Sequence, residues 1–261
     1  MLRTENQALG QSSVLGTLSC IVHCLAILEY DGTDFQGFQI QKNGRSVQQE
    51  LEHALYDFGK TRVKTVGGGR TDAGVHAKGQ TASFTIEWTR DLETFKRALN
   101  AKLPNDIYVR RVMAVDEKFS ARYRATSRVY QYRVWNHPER DVFRTRYAHW
   151  ISEALDVNAM QHAATFLVGK KDFSAFGSPP QGDNPVRNVL RLTVERAGDE
   201  IFFTIEANAF LYRMVRRIVG TLLWVGRGVM PPDEMENVLQ RKRRSGFSAP
   251  PQGLTLMEIK Y

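Results

Sequence analysis

The amino-acid sequence predicts an α+β fold in two halves, each an antiparallel sheet with helices on one face. Two observations carry this. Segments of strand period alternate with amphipathic helical segments, and the order β-α-β-β-α-β can be read twice along the chain. That order belongs to RRM/ferredoxin-like units, and two such halves joined side by side share a central cleft. No repeat is visible residue by residue, so the duplication rests on element order alone.

Residues 1–19 lack steady periodicity and read as a flexible N-terminal extension. The first half, 20–118, opens with a β-rich apolar run at 21–30, stopped by the turn pair Asp31-Gly32. Ser46 can cap a helix whose Val47, Leu51, Leu55 and Phe58 form one apolar stripe, with Glu50 near its first turn. A strand at 62–66 leads into three consecutive glycines. Ala82, Phe84 and Ile86 alternate with polar residues and predict a half-buried strand. The stretch 91–103 is helical, with Leu92, Phe95 and Leu99 inward, and 107–115 is a further strand.

The second half, 119–261, repeats the rhythm. A strand at 129–135 precedes a helix at 153–168, buried through Leu155, Met160, Ala163 and Phe166. Strands at 189–196 and 201–207 are joined through Gly198-Asp199. A helix at 211–225, a short helix at 232–241 with proline at its start, and a strand at 254–259 complete the half.

Composition narrows the function. The 261 residues are 42% hydrophobic and 25% charged, a globular balance without low-complexity stretches. Thirty-six Lys and Arg against 28 Asp and Glu give a net charge of +8, which attracts polyanions because neutralised phosphates release counterions. A signal peptide is not expected, because Glu5 offsets Arg3 and Thr17, Ser19 and His23 interrupt the apolar run from Val14 to Leu28. The apolar stretch 218–225 is far shorter than the ~20 residues that span a bilayer. Cys20 and Cys24 are the only cysteines. On a strand they share a face about 13 Å apart, too far to bridge, and read as buried free thiols in a reducing cytosol.

The segment 67–77, Gly-Gly-Gly-Arg-Thr-Asp-Ala-Gly-Val-His-Ala, is the most unusual in the chain. Its glycines and alanines surround Arg70 and Asp72 and let backbone and ligand approach closely. A carboxylate near a guanidinium is held ionised, which suits a nucleophile or a charge stabiliser and not a general acid. The lysine ending of a P-loop and the spaced glycines of a dinucleotide fingerprint are absent. Asp72 and His76 lack a third ligand at useful spacing, so no metal is expected. A non-catalytic RNA-binding protein would share the basic charge, and a metal-dependent nuclease would need clustered carboxylates that the sequence does not show.

The string Gly-Arg-Thr-Asp-Ala-Gly-Val-His-Ala resembles the signature loop of the tRNA pseudouridine synthases of the TruA family. Other blocks match in the family's order. Tyr30-Asp31-Gly32-Thr33, Phe35-Gln36-Gly37-Phe38-Gln39 and Ser46-Val47-Gln48 resemble its N-terminal block. Phe119-Ser120-Ala121-Arg122 with Arg128-Val129-Tyr130-Gln131-Tyr132 resembles the second motif, and Asp172-Phe173-Ser174-Ala175-Phe176 a substrate-side loop. Asn208-Ala209-Phe210, Met214-Val215-Arg216 and Ile218-Val219-Gly220-Thr221 resemble the third motif. Pro250-Pro251, Gly253-Leu254 and Leu256 resemble the closing block. Phe38 stands where the family commonly has Trp, Gly68 where it commonly has Ala, and the N-terminal extension has no counterpart.

The resemblance implies that Asp72 is the catalytic nucleophile, that Tyr130 is the active-site tyrosine and that Arg216 is the active-site arginine paired with Asp72. Tyr130 would stack on the uracil. A base inside a stem must be flipped out to be reached, and Arg70 would fill the vacated stack or hold the displaced strand, the plain alternative being a salt bridge to Asp72. Arg213 and Arg217 on the Arg216 helix, and the run Arg241-Lys242-Arg243-Arg244, are candidates for tRNA phosphates. On the same resemblance the reaction would isomerise uridine at positions 38, 39 and 40 of the anticodon stem-loop without a cofactor, in a homodimer, and the expected location is cytoplasmic. Whether Asp72 attacks ribose C1′, attacks uracil C6 or assists loss of a ribose proton is left open by the residues.

Overall fold

A computed structural model describes residues 20–180 and 182–261, so the expected extension at 1–19 lies outside the described residues. The first half contains strand β1 (Cys20–Tyr30), helix α1 (Val47–Gly59), a two-residue strand β2 (Val66–Gly67), β3 (His76–Trp88), α2 (Leu92–Asn100) and β4 (Ile107–Ala114). The second contains β5 (Ser127–Asn136), β6 (His149–Ile151), α3 (Val157–Thr165), β7 (Gly169–Asp172), β8 (Val186–Ala197), β9 (Glu200–Ala207), α4 (Met214–Gly226), α5 (Glu234–Leu239) and β10 (Leu254–Lys260). The mixed architecture agrees with the α+β reading, and among the described residues the strands form one sheet in the order β4-β1-β3-β10-β5-β9-β8-β7.

Local chemistry explains most boundaries. Ser46 caps α1 by accepting from the Gln49 N–H, and Asp91 and Asp156 cap α2 and α3 in the same way. The predicted helix at 153–168 therefore begins four residues late, where the aspartate satisfies its free N–H groups. The predicted strand at 62–66 shrinks to Val66–Gly67, and β6 and β7, short edge pieces, had no periodic signal. Helix α4 is buried almost all round through Met214, Val215, Ile218, Val219, Leu222, Leu223 and Val225. Each such side chain contributes about 1.5–3 kcal/mol on burial.

Two expectations need correcting. The strand around Ala82–Phe84–Ile86 is half-buried only in its later part: Thr85 and Glu87 on its other face are exposed, but Thr81 and Ser83 on that face are covered. The cover comes from Tyr261, whose hydroxyl lies 2.5 Å from Thr81 Oγ1, and from Ala121, whose N–H donates to Ser83 Oγ. Cys20 is exposed and only Cys24 is buried, because Cys20 is the first residue of β1, at the edge of the sheet's covered region. Burial pushes the Cys24 thiol up to about 11.

Strand β10 joins the halves. It pairs antiparallel with β5, placing Leu256 opposite Tyr130, and parallel with β3, placing Leu256 beside Ala77. This one row, Ala77–Leu256–Tyr130, brings the start of β3 next to the middle of β5. The loop that enters β3 is the glycine-rich segment, so the pairing carries it to Tyr130.

Candidate active site

The loop is held by its backbone. Gly68 N–H donates to Thr81 O, Gly69 exchanges two hydrogen bonds with the Gln80 side chain, and the Tyr30 hydroxyl sits 2.7 Å from Thr71 Oγ1. A second loop backs it: Phe38 N–H donates to Thr71 O and Gly74 N–H to Phe35 O. Gly37 permits this contact, since at φ +94° a Cβ there would stand 2.5 Å from Thr71 O. Gly68, the departure from the family's alanine, is also explained. A Cβ would lie 2.3 Å from Thr81 Oγ1 and 2.9 Å from the Tyr261 hydroxyl, so alanine would have to displace that contact.

Arg128, part of the second motif, holds the loop from the other half of the chain. Its guanidinium donates to Gly68 O twice, at 2.9 and 3.3 Å, and to the carbonyls of Arg122, Ala125 and Asn208. It stitches the glycine loop to the second half. Burial lowers the pKa of this cation, and it has carbonyls rather than a carboxylate to offset the cost. The sequence did carry a faint signal, an arginine sharing the strand face of Tyr130 and Tyr132 (period two).

The cleft has a volume of about 1040 Å³, and Arg70, Asp72, Tyr130, Arg213 and Arg216 line it. Arg216 Nη1 approaches Asp72 Oδ2 at 3.3 Å, with both side chains mostly covered. Its Nε donates to Ala249 O at 2.6 Å, which fixes the guanidinium plane. Asp72 Oδ1 has no hydrogen-bond partner among the described residues. The carboxylate therefore offers one oxygen to the cleft while the other faces a cation.

Tyr130 is buried, with its hydroxyl donating to Arg70 O at 3.3 Å and its ring edge-to-face with Phe210 at 5.1 Å. Burial, with the charges of Tyr30 and Asp72 adding to it, pushes its hydroxyl far above the usual phenol range. It stays protonated, a hydrogen-bond donor. Burial likewise pushes Tyr30 up to about 12.

Arg70 is exposed and makes no ion pair with Asp72 among the described residues, which removes the plain salt bridge. Arg213 and Arg217 are exposed at the start of α4, but only Arg213 lines the cleft. The run at 241–244 lies outside the cleft lining, and Arg243 is engaged by Glu234. In the expected substrate-side loop, Phe173 and Phe176 are core residues; Ser178 and Pro179, just beyond it, reach the cleft. His76 is turned from Asp72 toward Asp31, 3.1 Å away, and its Nδ1 accepts from Gly32 N–H. Burial alone would raise the Asp31 carboxyl, but hydrogen bonds from Thr33, Arg146 and Tyr147 outweigh it and hold it well below the carboxylate range.

The sequence comparisons set the chain among the pseudouridine synthases, which are isomerases. The family model described as tRNA pseudouridine synthase matches residues 26–124, which include Asp72, and 163–261, which include Arg216. The chain belongs to the tRNA pseudouridine synthase family. It is 44% identical over 238 residues to the tRNA pseudouridine synthase A of Brevibacillus brevis, covering 90% of this chain and 98% of that one. The Herminiimonas arsenicoxydans protein of the same name is 44% identical (90% and 88% covered), and that of Pseudothermotoga lettingae 43% (91% and 98%). No helix of the described residues is long and apolar enough to cross a membrane.

Proposed function

We propose that the chain converts uridine to pseudouridine at positions 38, 39 and 40 of the anticodon stem-loop of tRNA, with Asp72 as nucleophile. The observation that carries this is the split carboxylate: Oδ2 against Arg216 and Oδ1 open to the cleft. The reaction breaks the N1–C1′ bond, turns the uracil and forms C5–C1′; C5 gives up a proton and N1 gains one. No electrons are exchanged with an outside partner, and the chain needs no cofactor. Attack at C1′, attack at C6 and removal of a ribose proton all draw on the same free oxygen, so each route passes through Asp72.

Arg216 sets the carboxylate's direction and screens its charge from the floor of the cleft. Tyr130 supplies a ring against the uracil and a hydroxyl that remains protonated. Flipping the uridine costs a few kcal/mol of unstacking; Arg70, free of a carboxylate partner, occupies the vacated space. Arg213 and Arg217 hold phosphates, which position the tRNA without reading its bases. The two halves, 20–118 and 119–261, thus contribute Asp72 and Arg216 respectively to one site, and the working form is a cytoplasmic homodimer. The test is incubation of unmodified tRNA transcript with wild type and with Asp72→Asn, followed by chemical mapping of pseudouridine. Product at 38–40 with wild type and none with the variant is expected; equal product from both excludes Asp72.

A further inference from the structure

Two tyrosines at the cleft are exposed without any packing reason. Tyr123 is 79% exposed and Tyr212 50% exposed, and both line the cleft that holds Asp72. Among the exposed large apolar side chains described, these are the only rings in that lining.

Their backbones, in contrast, are fixed. Tyr123 projects from a turn in which the buried Ala121 donates to Ser83 Oγ and accepts from the Tyr261 hydroxyl. The preceding Arg122 carbonyl accepts from Arg128, and Arg124 N–H closes the turn on Ser120 O. Tyr212 N–H donates to Ser178 O, and the buried Leu211 and Met214 anchor the chain on either side. A ring held out on a rigid backbone keeps little freedom to lose when something stacks on it.

Each ring also has a guanidinium against it. Arg122 Cζ lies 5.6 Å from the Tyr123 centroid, and Arg213 Cζ 4.9 Å from that of Tyr212. An aromatic face with an adjacent cation suits a base attached to a phosphate: the ring takes the base by stacking, and beside Tyr212 the Arg213 guanidinium can take the backbone charge.

We propose that Tyr123 and Tyr212 are stacking platforms for unpaired nucleotides flanking the flipped uridine in the Asp72 cleft. The inference rests on the tRNA reading above and deepens it. It assigns the ligand as single-stranded RNA neighbours of the target, held by ring stacking and not by base-edge hydrogen bonds. Stacking tolerates any base because every base has a π-face. Such platforms would admit different flanking sequences around neighbouring target positions.

The test uses the full chain and an unmodified tRNA transcript. Affinity and steady-state kinetics are measured for Tyr123→Ala, Tyr212→Ala and the two Tyr→Phe variants. Each alanine variant should weaken binding roughly 5- to 150-fold, mainly through KM, and each phenylalanine variant should restore it. In a transcript with 2-aminopurine beside the target uridine, wild type should quench the fluorescence and the alanine variants should leave it bright, a readout that does not depend on turnover. Alanine variants within about twofold of wild type in affinity, with quenching intact, overturn the platforms. Loss that is equal in the phenylalanine and alanine variants also overturns them, because it would assign the effect to the hydroxyl. If wild type binds and quenches but makes no pseudouridine, the catalytic reading fails and the platforms stand.

Discussion

The loop that carries Asp72 has two sides built on different rules. On the buried side the protein answers the backbone: Gly68 O by Arg128, Gly69 by Gln80, Thr71 O by the Phe38 N–H. On the open side Arg70, Arg213 and Arg217 have no carboxylate partner among the described residues, and Tyr123 and Tyr212 stand in solvent. Folding free energy is invested on one side to fix a geometry. The other side is left unsatisfied, so binding energy is gained only when RNA arrives. Buried-side substitutions should therefore act on stability and open-side ones on affinity, with Asp72 and Arg216 at the boundary acting on rate.

The largest effect belongs to that boundary. Asp72→Asn should lower turnover by more than about a thousandfold with tRNA affinity retained, the loss that the proposed nucleophilic role requires. Weakened binding with normal turnover would move Asp72 to the open side. Arg216→Gln should cost about 10²–10³ in turnover, the size of one lost preorganised electrostatic partner. A fall below twofold would reduce Arg216 to a structural contact with Ala249.

Next is the buried side. Arg128→Met leaves four carbonyls without their donor and should destabilise the protein by about 2–4 kcal/mol, measured by urea unfolding. Arg70→Ala should leave the urea midpoint unchanged while weakening tRNA binding. If the two variants exchanged phenotypes, the contrast between the sides would be wrong. Salt sharpens the open side further. The log of affinity should fall by roughly 0.7–0.9 per log unit of salt for each phosphate held. Arg213→Ala and Arg217→Ala should each shallow that slope by about one such step, and Arg128→Met should not change it.

The smallest effect is a pH control away from both sides. Burial, with Arg227 adding to it, pulls the His149 imidazole from its usual 6.5 to about 4. A depressed folded value means stability that is full above the unfolded pKa and lost as pH falls through the folded one. Melting temperature should drop between pH 6.5 and 4, and His149→Gln should flatten part of that drop. An identical profile in the variant would assign the acid sensitivity elsewhere, for instance to His76, which burial also shifts downward.

The glycine loop, Asp72 and the cap residue Ser46 were legible in the sequence because each is a local signal: turn chemistry, charge spacing, an N-cap side chain. Periodicity found the longer strands and helices for the same reason. The cover over Thr81 and Ser83 was not legible because it comes from Tyr261 and Ala121, far away in the chain. The edge strands β6 and β7 were missed because three or four residues are too few to show a period.

By itself, then, the sequence determined which residue types are gathered in one tight loop and that two α+β units follow one another, since both depend on contacts a few residues long. Only the tertiary structure decided that β10 sits between β3 and β5, that Arg216 meets Asp72 across 144 positions of chain, and that Arg128 fastens the loop from the opposite half. Those contacts depend on strand pairing across the whole sheet. Register is set by long-range packing and hydrogen bonding that no short window of residues contains.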